Sequence, residues 1–301
     1  MAYDIDRLMQ LATAVDISDL DWEYISRVGI TDQEARCLRC LSDIESHAIL
    51  YQADLLAGHT KMDYELVTFL SCWAYEEMHH GWALDKFLAA CGHAPPKDQY
   101  ATVTGKVSLK ERIEAWFAHG FATVTTNFAA THMAWGALNE MTSSLAYTQI
   151  ARYTQNRELA KLVTRMAKDE RRHLAFYYQQ AERRLTRSKA AQRIARFAFR
   201  RFWDPVGTGV GDADSFGLFV ALLFDNEQGR SEFRRIDENM SRLPGLEGFD
   251  LAQQRLPAAG EAFKKANPEA AREIAAITAA RSSPSGAHGV EPARPLMRLA
   301  S

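Results

Sequence analysis

The sequence predicts an all-α protein built on a four-helix bundle with additional C-terminal helices. Three observations carry that expectation. Helix-start and helix-stop residues recur at long intervals, strand-like alternation and two-residue hairpin turns are almost absent, and the marked segments run to roughly 25 to 45 residues, well beyond the usual ~11 to 12. The 301 residues are 47% apolar and 25% charged, enough to bury a large core, which excludes disordered, collagen-like and disulfide-scaffold classes.

Taken in order, Thr31-x-x-Glu34 is a capping box, so the first long helix opens there and can run to Gly58, a residue free to take the left-handed conformation that ends it. A second helix begins near Thr60 and stops at Gly92, with Pro95-Pro96 beyond it as a breaker. Residues 92 to 108 read as a longer crossover between two helical hairpins. Ser108-x-x-Glu111 opens a third helical segment that extends to about Tyr153, with Gly120 as a point of interruption, and Asn156 caps a fourth that continues to about Thr186. Further helices are expected at about 188–203, 214–242 and 258–281. Residues 1–281 thus form one expected domain, with the bundle at about 31–186, and the Ser-, Pro-, Gly- and Ala-rich tail 282–301 is expected to be disordered.

Composition narrows the partners. Thirty-six basic against 38 acidic residues leave a formal charge of −2, so no global positive field points to nucleic acid or to a membrane surface. Four cysteines and a start without a basic, then apolar, leader fit a reducing cytoplasmic compartment. Residues 115 to 139 contain no Asp, Glu, Lys or Arg and are long enough to span a bilayer. They are studded with polar groups, among them His119, Asn127, His132 and Asn139, so a central helix buried all round is expected rather than a membrane span.

The chemistry lies in two copies of Glu-x-x-His, a spacing that sets a carboxylate and an imidazole side by side on one helix face. The string Tyr75-Glu76-Glu77-Met78-His79-His80 offers two overlapping registers, and helical phase separates them. Leu66, Leu70, Trp73, Leu84, Phe87 and Leu88 form the apolar stripe; Glu77 and His80 fall on it, whereas Glu76 and His79 are offset. In the fourth helix Glu170 and His173 align with Leu159, Val163, Met166 and Tyr177, while Asp169, Arg171 and Arg172 fall off that line. A carboxylate on an apolar stripe is costly without countercharge, so two such pairs point to a shared cation. Glu45, in phase with Leu38, Leu41, Ala48 and Ile49, and Glu140, which interrupts the uncharged segment, complete a set of four carboxylates and two imidazoles. A bundle can gather such a set around two metal ions, and its hardness suits iron or manganese.

These strings resemble the ferritin-like di-iron carboxylate oxidases, and are most similar to soluble acyl-[acyl-carrier-protein] desaturases, over about residues 33 to 205. Glu76-Glu77-Met78-His79-His80-Gly81 has that family's Glu-Glu-x-x-His-Gly core, and Asp169-Glu170-Arg171-Arg172-His173 its Asp-Glu-x-Arg-His core. The resemblance implies a ferritin-like bundle holding two iron ions (manganese being the other candidate) on Glu45, Glu77, His80, Glu140, Glu170 and His173, with O2 as co-substrate. It implies that Glu76 and Asp169, beside Arg172, fix the ligand imidazoles. It further implies an aliphatic acyl chain on acyl carrier protein as substrate, an external electron donor such as ferredoxin, and a homodimer. The departures are His79 in place of an Arg, Trp82 and Leu174 where acids are common, and Ser143 in place of a Thr three residues after Glu140.

The expected reaction is removal of hydrogen from an unactivated carbon of an acyl chain. Hydroxylation of a non-lipid small molecule is the alternative, and iron storage or a ribonucleotide-reductase-type radical, for which Tyr51 would serve, are less favoured. Gly136, Ala137, Ser143 and Ser144 flank Glu140 and would leave room for a chain. Bland readings cover the rest. Cys37-x-x-Cys40 is expected to pack, His132 to be a hydrogen-bonded core residue, and Met166 stands where arylamine N-oxygenases carry a further His. The run Arg193, Arg196, Arg200 and Arg201, interleaved with Phe197, Phe199, Phe202 and Trp203, reads as a solvated helix face on which an acidic carrier protein could dock.

Overall fold

The computed structural model describes residues 5–57, 63–94, 127–205 and 213–281, and among these it contains eleven helices and no strand. Two short N-terminal helices, α1 (Ile5–Leu11) and α2 (Trp22–Val28), precede the four long ones, α3 (Asp32–Ala57), α4 (Tyr64–Ala90), α5 (Phe128–Tyr153) and α6 (Arg157–Arg187). Then follow α7 (Lys189–Phe202), α8 (Ala213–Phe224), α9 (Glu227–Ser241), α10 (Leu251–Ala266) and α11 (Pro268–Arg281). Buried residues from Leu8 to Ile274 form one contiguous core.

The long helices pair as two hairpins, α3 with α4 and α5 with α6. Thr31 and Glu34 close the capping box reciprocally, Glu34 Oε2 accepting from the Thr31 N–H at 2.9 Å and Thr31 Oγ1 from that of Glu34 at 3.2 Å. Asn156 Oδ1 caps α6 by accepting from the N–H groups of Glu158 and Leu159. Gly92, at φ +86°, lies just past α4 in the left-handed region that glycine adopts without strain. The α3–α4 hairpin is tied at one end by Arg39, which donates to Asp85 at 2.7 Å and to the His93 carbonyl, and further along by Gln52, which donates to the Leu70 carbonyl.

Several expected boundaries are corrected. Asp63, three residues after Thr60, caps α4; its carboxylate accepts from the Leu66 N–H. The segment 214–242 is two helices, because Asn226 leaves the helical path and caps α9 by accepting from Gly229 N at 2.7 Å. The segment 258–281 is also two: α10 starts at Leu251 and continues through Pro257, and the break falls at Asn267-Pro268. The expected crossover beyond Ala94, the Ser108 start, Gly120 and the tail from Ser282 lie outside the described residues. Of the uncharged stretch, residues 128–139 belong to α5, whose buried residues occupy every face. Among the described residues no helix is long and apolar enough to cross a membrane.

Helices α8, α7 and α9 cover the bundle: α8 packs against α3, α5 and α10, and α7 against α5. The four long helices are thereby enclosed where their acids converge.

Candidate metal centre

Close approach between α3 and α4 begins at Gly81. A Cβ there would lie 3.0 Å from Ser46 Oγ and 3.4 Å from Glu45 Cβ, so the missing side chain lets Glu45 sit directly against the turn that carries Glu77 and His80. Gly136 does the same between α5 and α6, where a Cβ would come within 2.3 Å of the Tyr177 ring.

The helices bring together all six residues of the expected ligand set. Glu45, Glu77, His80 and Glu170 form one group and Glu77, Glu140, Glu170 and His173 a second; within each, one ligand-type atom per residue lies within 4.8 Å of every other. Glu77 and Glu170 are common to both. All six side chains are buried. His80 Nδ1 lies 3.1 Å from Glu170 and 3.4 Å from Glu77, and His173 Nδ1 lies 3.0, 3.4 and 3.6 Å from Glu77, Glu170 and Glu140. Among the described residues neither Nδ1 has a hydrogen-bond partner, nor has either oxygen of Glu77 or Oε1 of Glu170. Five buried polar atoms left without donors or acceptors around one point are costly in a protein alone, and they fit cations.

Behind the imidazoles the supporting acids cross over. Glu76, on α4, reaches His173 on α6, with Oε2 at 2.8 Å from Nε2, and Asp169, on α6, reaches His80 on α4 at 3.4 Å. Arg172 joins the two acids, donating to Asp169 at 2.7 Å and also to Glu76. With Nε2 directed at an acid, each ring turns Nδ1 toward the carboxylates. Two further donors meet the outer acids: Tyr147 donates to Glu45 Oε1, and Trp73 Nε1 donates to Glu140 Oε1 at 2.9 Å.

Proton affinities follow this crowding. Burial, and then the charge of neighbouring Glu77, push Glu45 well above the ordinary carboxylate range; burial and Glu170 do the same to Glu140. Burial alone would press His80 and His173 down, but the surrounding carboxylates outweigh it and hold both well above the usual imidazole value. Without metal, protons thus compensate the clustered negative charge.

A cavity of about 190 Å³ opens beside the acids, lined among others by Ile44, Trp135, Gly136, Ser143 and Tyr177. Ile44 and Ser143 also line a smaller apolar pocket that reaches Phe216 and Phe219 of α8. Of the four small residues flanking Glu140, Gly136 and Ser143 therefore line the cavity. Ala137 and Ser144 do not: Ala137 is packed in the core, and the Ser144 hydroxyl donates to the Ala167 carbonyl. Both lie on the side of α5 that is turned toward neighbouring helices.

Cys37 and Cys40 are buried and are not joined in a disulfide, and burial raises Cys37. Burial presses His132 down to about 3, and it belongs to neither ligand group. The Tyr51 side chain lies outside the described residues. On α7, Phe197 is exposed, Phe199 and Trp203 are buried, and Arg196 pairs with Glu247. Sequence reasoning missed Tyr147 and the hydrogen-bonding role of Trp73, which it read only as part of the apolar stripe. Tyr147 stands seven residues after Glu140, two turns along one face, and that spacing was the available signal.

Residues 50–198 match the family model described as fatty acid desaturase. The matched segment carries Glu77, His80, Glu140, Glu170 and His173, whereas Glu45 lies before it. This similarity implies an oxidoreductase acting on acyl chains. No curated protein and no solved structure matches the chain.

Proposed function

We propose that the chain is a non-haem di-iron oxidase that uses O2 to remove hydrogen from an unactivated carbon of an aliphatic acyl chain. One observation carries the reading: two buried ligand groups share Glu77 and Glu170, the arrangement that two neighbouring cations need. In this assignment Glu45 and His80 would hold one ion and Glu140 and His173 the other, with Glu77 and Glu170 common to both. Four carboxylates and two imidazoles are a hard donor set that suits iron, with manganese as the other candidate. When bound, the pair would supply the reduction of O2 and the oxidising power that breaks a C–H bond.

The protein supplies the rest. Glu76 and Asp169 orient the imidazoles, and Arg172 holds both acids in place. Helices α7 and α8 pack over the bundle, in which the acids are buried. The cavity beside Glu140, with Ser143 on its wall and the phenylalanines of α8 beyond, gives an apolar chain a place to lie across the centre. Delivery on acyl carrier protein, electrons from a ferredoxin-like donor, a cytoplasmic location and a homodimer complete the proposal; the exposed Arg193, Arg200 and Arg201 of α7 suit an acidic carrier.

The test is anaerobic reconstitution with iron(II), metal analysis, then addition of O2 and a reductant to a panel of acyl-carrier substrates read by mass spectrometry. The expected result is about two ions per chain and a product lacking two hydrogens. A gain of one oxygen instead would assign hydroxylation. Fewer than about one ion per chain would falsify the dinuclear centre.

A further inference from the structure

We infer that Tyr147 and Trp73 are positioning residues, one for each ion of the proposed centre, that fix the orientation of its two unshared carboxylates. The inference rests on the dinuclear reading and goes beyond it, since neither residue belongs to a ligand group. Glu77 and Glu170 are held from two sides because each serves both groups. Glu45 and Glu140 serve one group each, and a carboxylate with one duty is free to rotate or to swing away.

The structure removes that freedom in the same way at both ends. Tyr147 donates its hydroxyl proton to Oε1 of Glu45, and the Trp73 indole donates to Oε1 of Glu140 at 2.9 Å. In each case one carboxylate oxygen is held by a donor from another helix. Both donors are buried, Tyr147 completely, so water cannot take over the bond. They are also rigid: Trp73 and Tyr177 meet edge to face at 6.0 Å, and the Tyr147 ring lies 6.5 Å from that of His80. Each brace crosses between helices that carry other ligands. Tyr147 is on α5 with Glu140 and reaches Glu45 on α3; Trp73 is on α4 with Glu77 and His80 and reaches Glu140 on α5. The two ion positions therefore have separate braces, and the effects of removing them should separate.

Tyr147→Phe and Trp73→Phe delete the donors while keeping an aromatic ring. The readout is anaerobic titration of the metal-free protein with cobalt(II) alone, followed by visible absorption and by competition with a chelating indicator. Wild type should take up two ions. Tyr147→Phe should weaken one binding step by about 10- to 100-fold and leave the other unchanged, and Trp73→Phe should weaken the other step. In a Glu45→Gln background Tyr147→Phe should add almost nothing, because its partner is already altered. A role in packing alone would lower both steps together and depress the melting temperature of the metal-free protein, and that outcome overturns the inference. So does tight binding of two ions by wild type with both steps unchanged in the variants. Failure of wild type to bind two ions removes the dinuclear reading itself, a result distinct from either.

Discussion

Removing the acid behind His173 should weaken metal binding more than removing the acid behind His80. Glu76 Oε2 lies 2.8 Å from His173 Nε2 and its side chain is 1% exposed, while Asp169 Oδ2 lies 3.4 Å from His80 Nε2 on a side chain 18% exposed. A charge-assisted hydrogen bond contributes about 1.5 to 3 kcal/mol, with short, dry bonds at the upper end and long, wet ones at the lower. Every 1.4 kcal/mol is about tenfold in affinity, so Glu76→Ala should cost about 100-fold and Asp169→Ala about tenfold. Water can replace the missing acceptor at the exposed Asp169 position and has no access at Glu76. The assay is anaerobic iron(II) titration against a chelating indicator, with Glu170→Ala as the reference for loss of a ligand. Equal losses, or a larger loss in Asp169→Ala, would refute the reasoning from distance and burial. Complete loss in both, matching Glu170→Ala, would make these acids ligands and displace the register in which Glu77 and Glu170 bind.

Two further outcomes follow from other parts of the fold. In Gly136→Ala the new Cβ must displace the Tyr177 ring, which also lines the cavity; stability should fall by about 1 to 3 kcal/mol with metal content retained, and turnover or preferred chain length should drop. An unchanged product profile at an unchanged rate would show that the chain does not pass this face. Asp237 of α9 accepts from the N–H groups of Ala252 and Gln253 and so caps α10 from outside, and burial pushes its carboxyl up to about 6 from 3.8. A folded pKa above the unfolded one means the fold binds the proton more tightly: the contribution is full below about 4 and is lost as pH rises through about 6. Asp237→Asn should flatten that slope in thermal melts without changing metal content, and a slope that survives would assign it to another group.

Much of the centre was legible because a buried acid is an anomaly that helical phase can expose. Glu77 and Glu76 differ by one position, yet only Glu77 shares a face with Leu70, Trp73 and Leu84, and that sufficed to separate the residue facing the cluster from the one behind it. The crossing of the supporting acids was not legible: phase places Glu76 beside its own stripe, while its partner His173 is 97 residues away and is brought near by the packing of α4 on α6. Helix ends were legible where a side chain closes them, as at Thr31 and Asn156. They were missed where the terminating residue can also sit inside a helix: Asn226 became a cap only because Gly229 lets the chain turn against Phe224, whose carbonyl a Cβ at Gly229 would meet at 2.2 Å. Conversely, Pro257 reads as a breaker yet lies inside α10, whose continuation costs one main-chain hydrogen bond.

The same distinction explains why Tyr147 and Trp73 escaped notice. A phenol and an indole on an apolar face satisfy the pattern of a core, and their ring atoms do pack there; only the direction of one O–H and one N–H gives them a second duty. A phenylalanine in either place would keep an aromatic ring in the core and leave Glu45 or Glu140 with a buried oxygen facing nothing. Aromatic residues with a polar tip thus let a single helix face serve both packing and the charged cluster, and the cluster can be buried without its outer acids being loose.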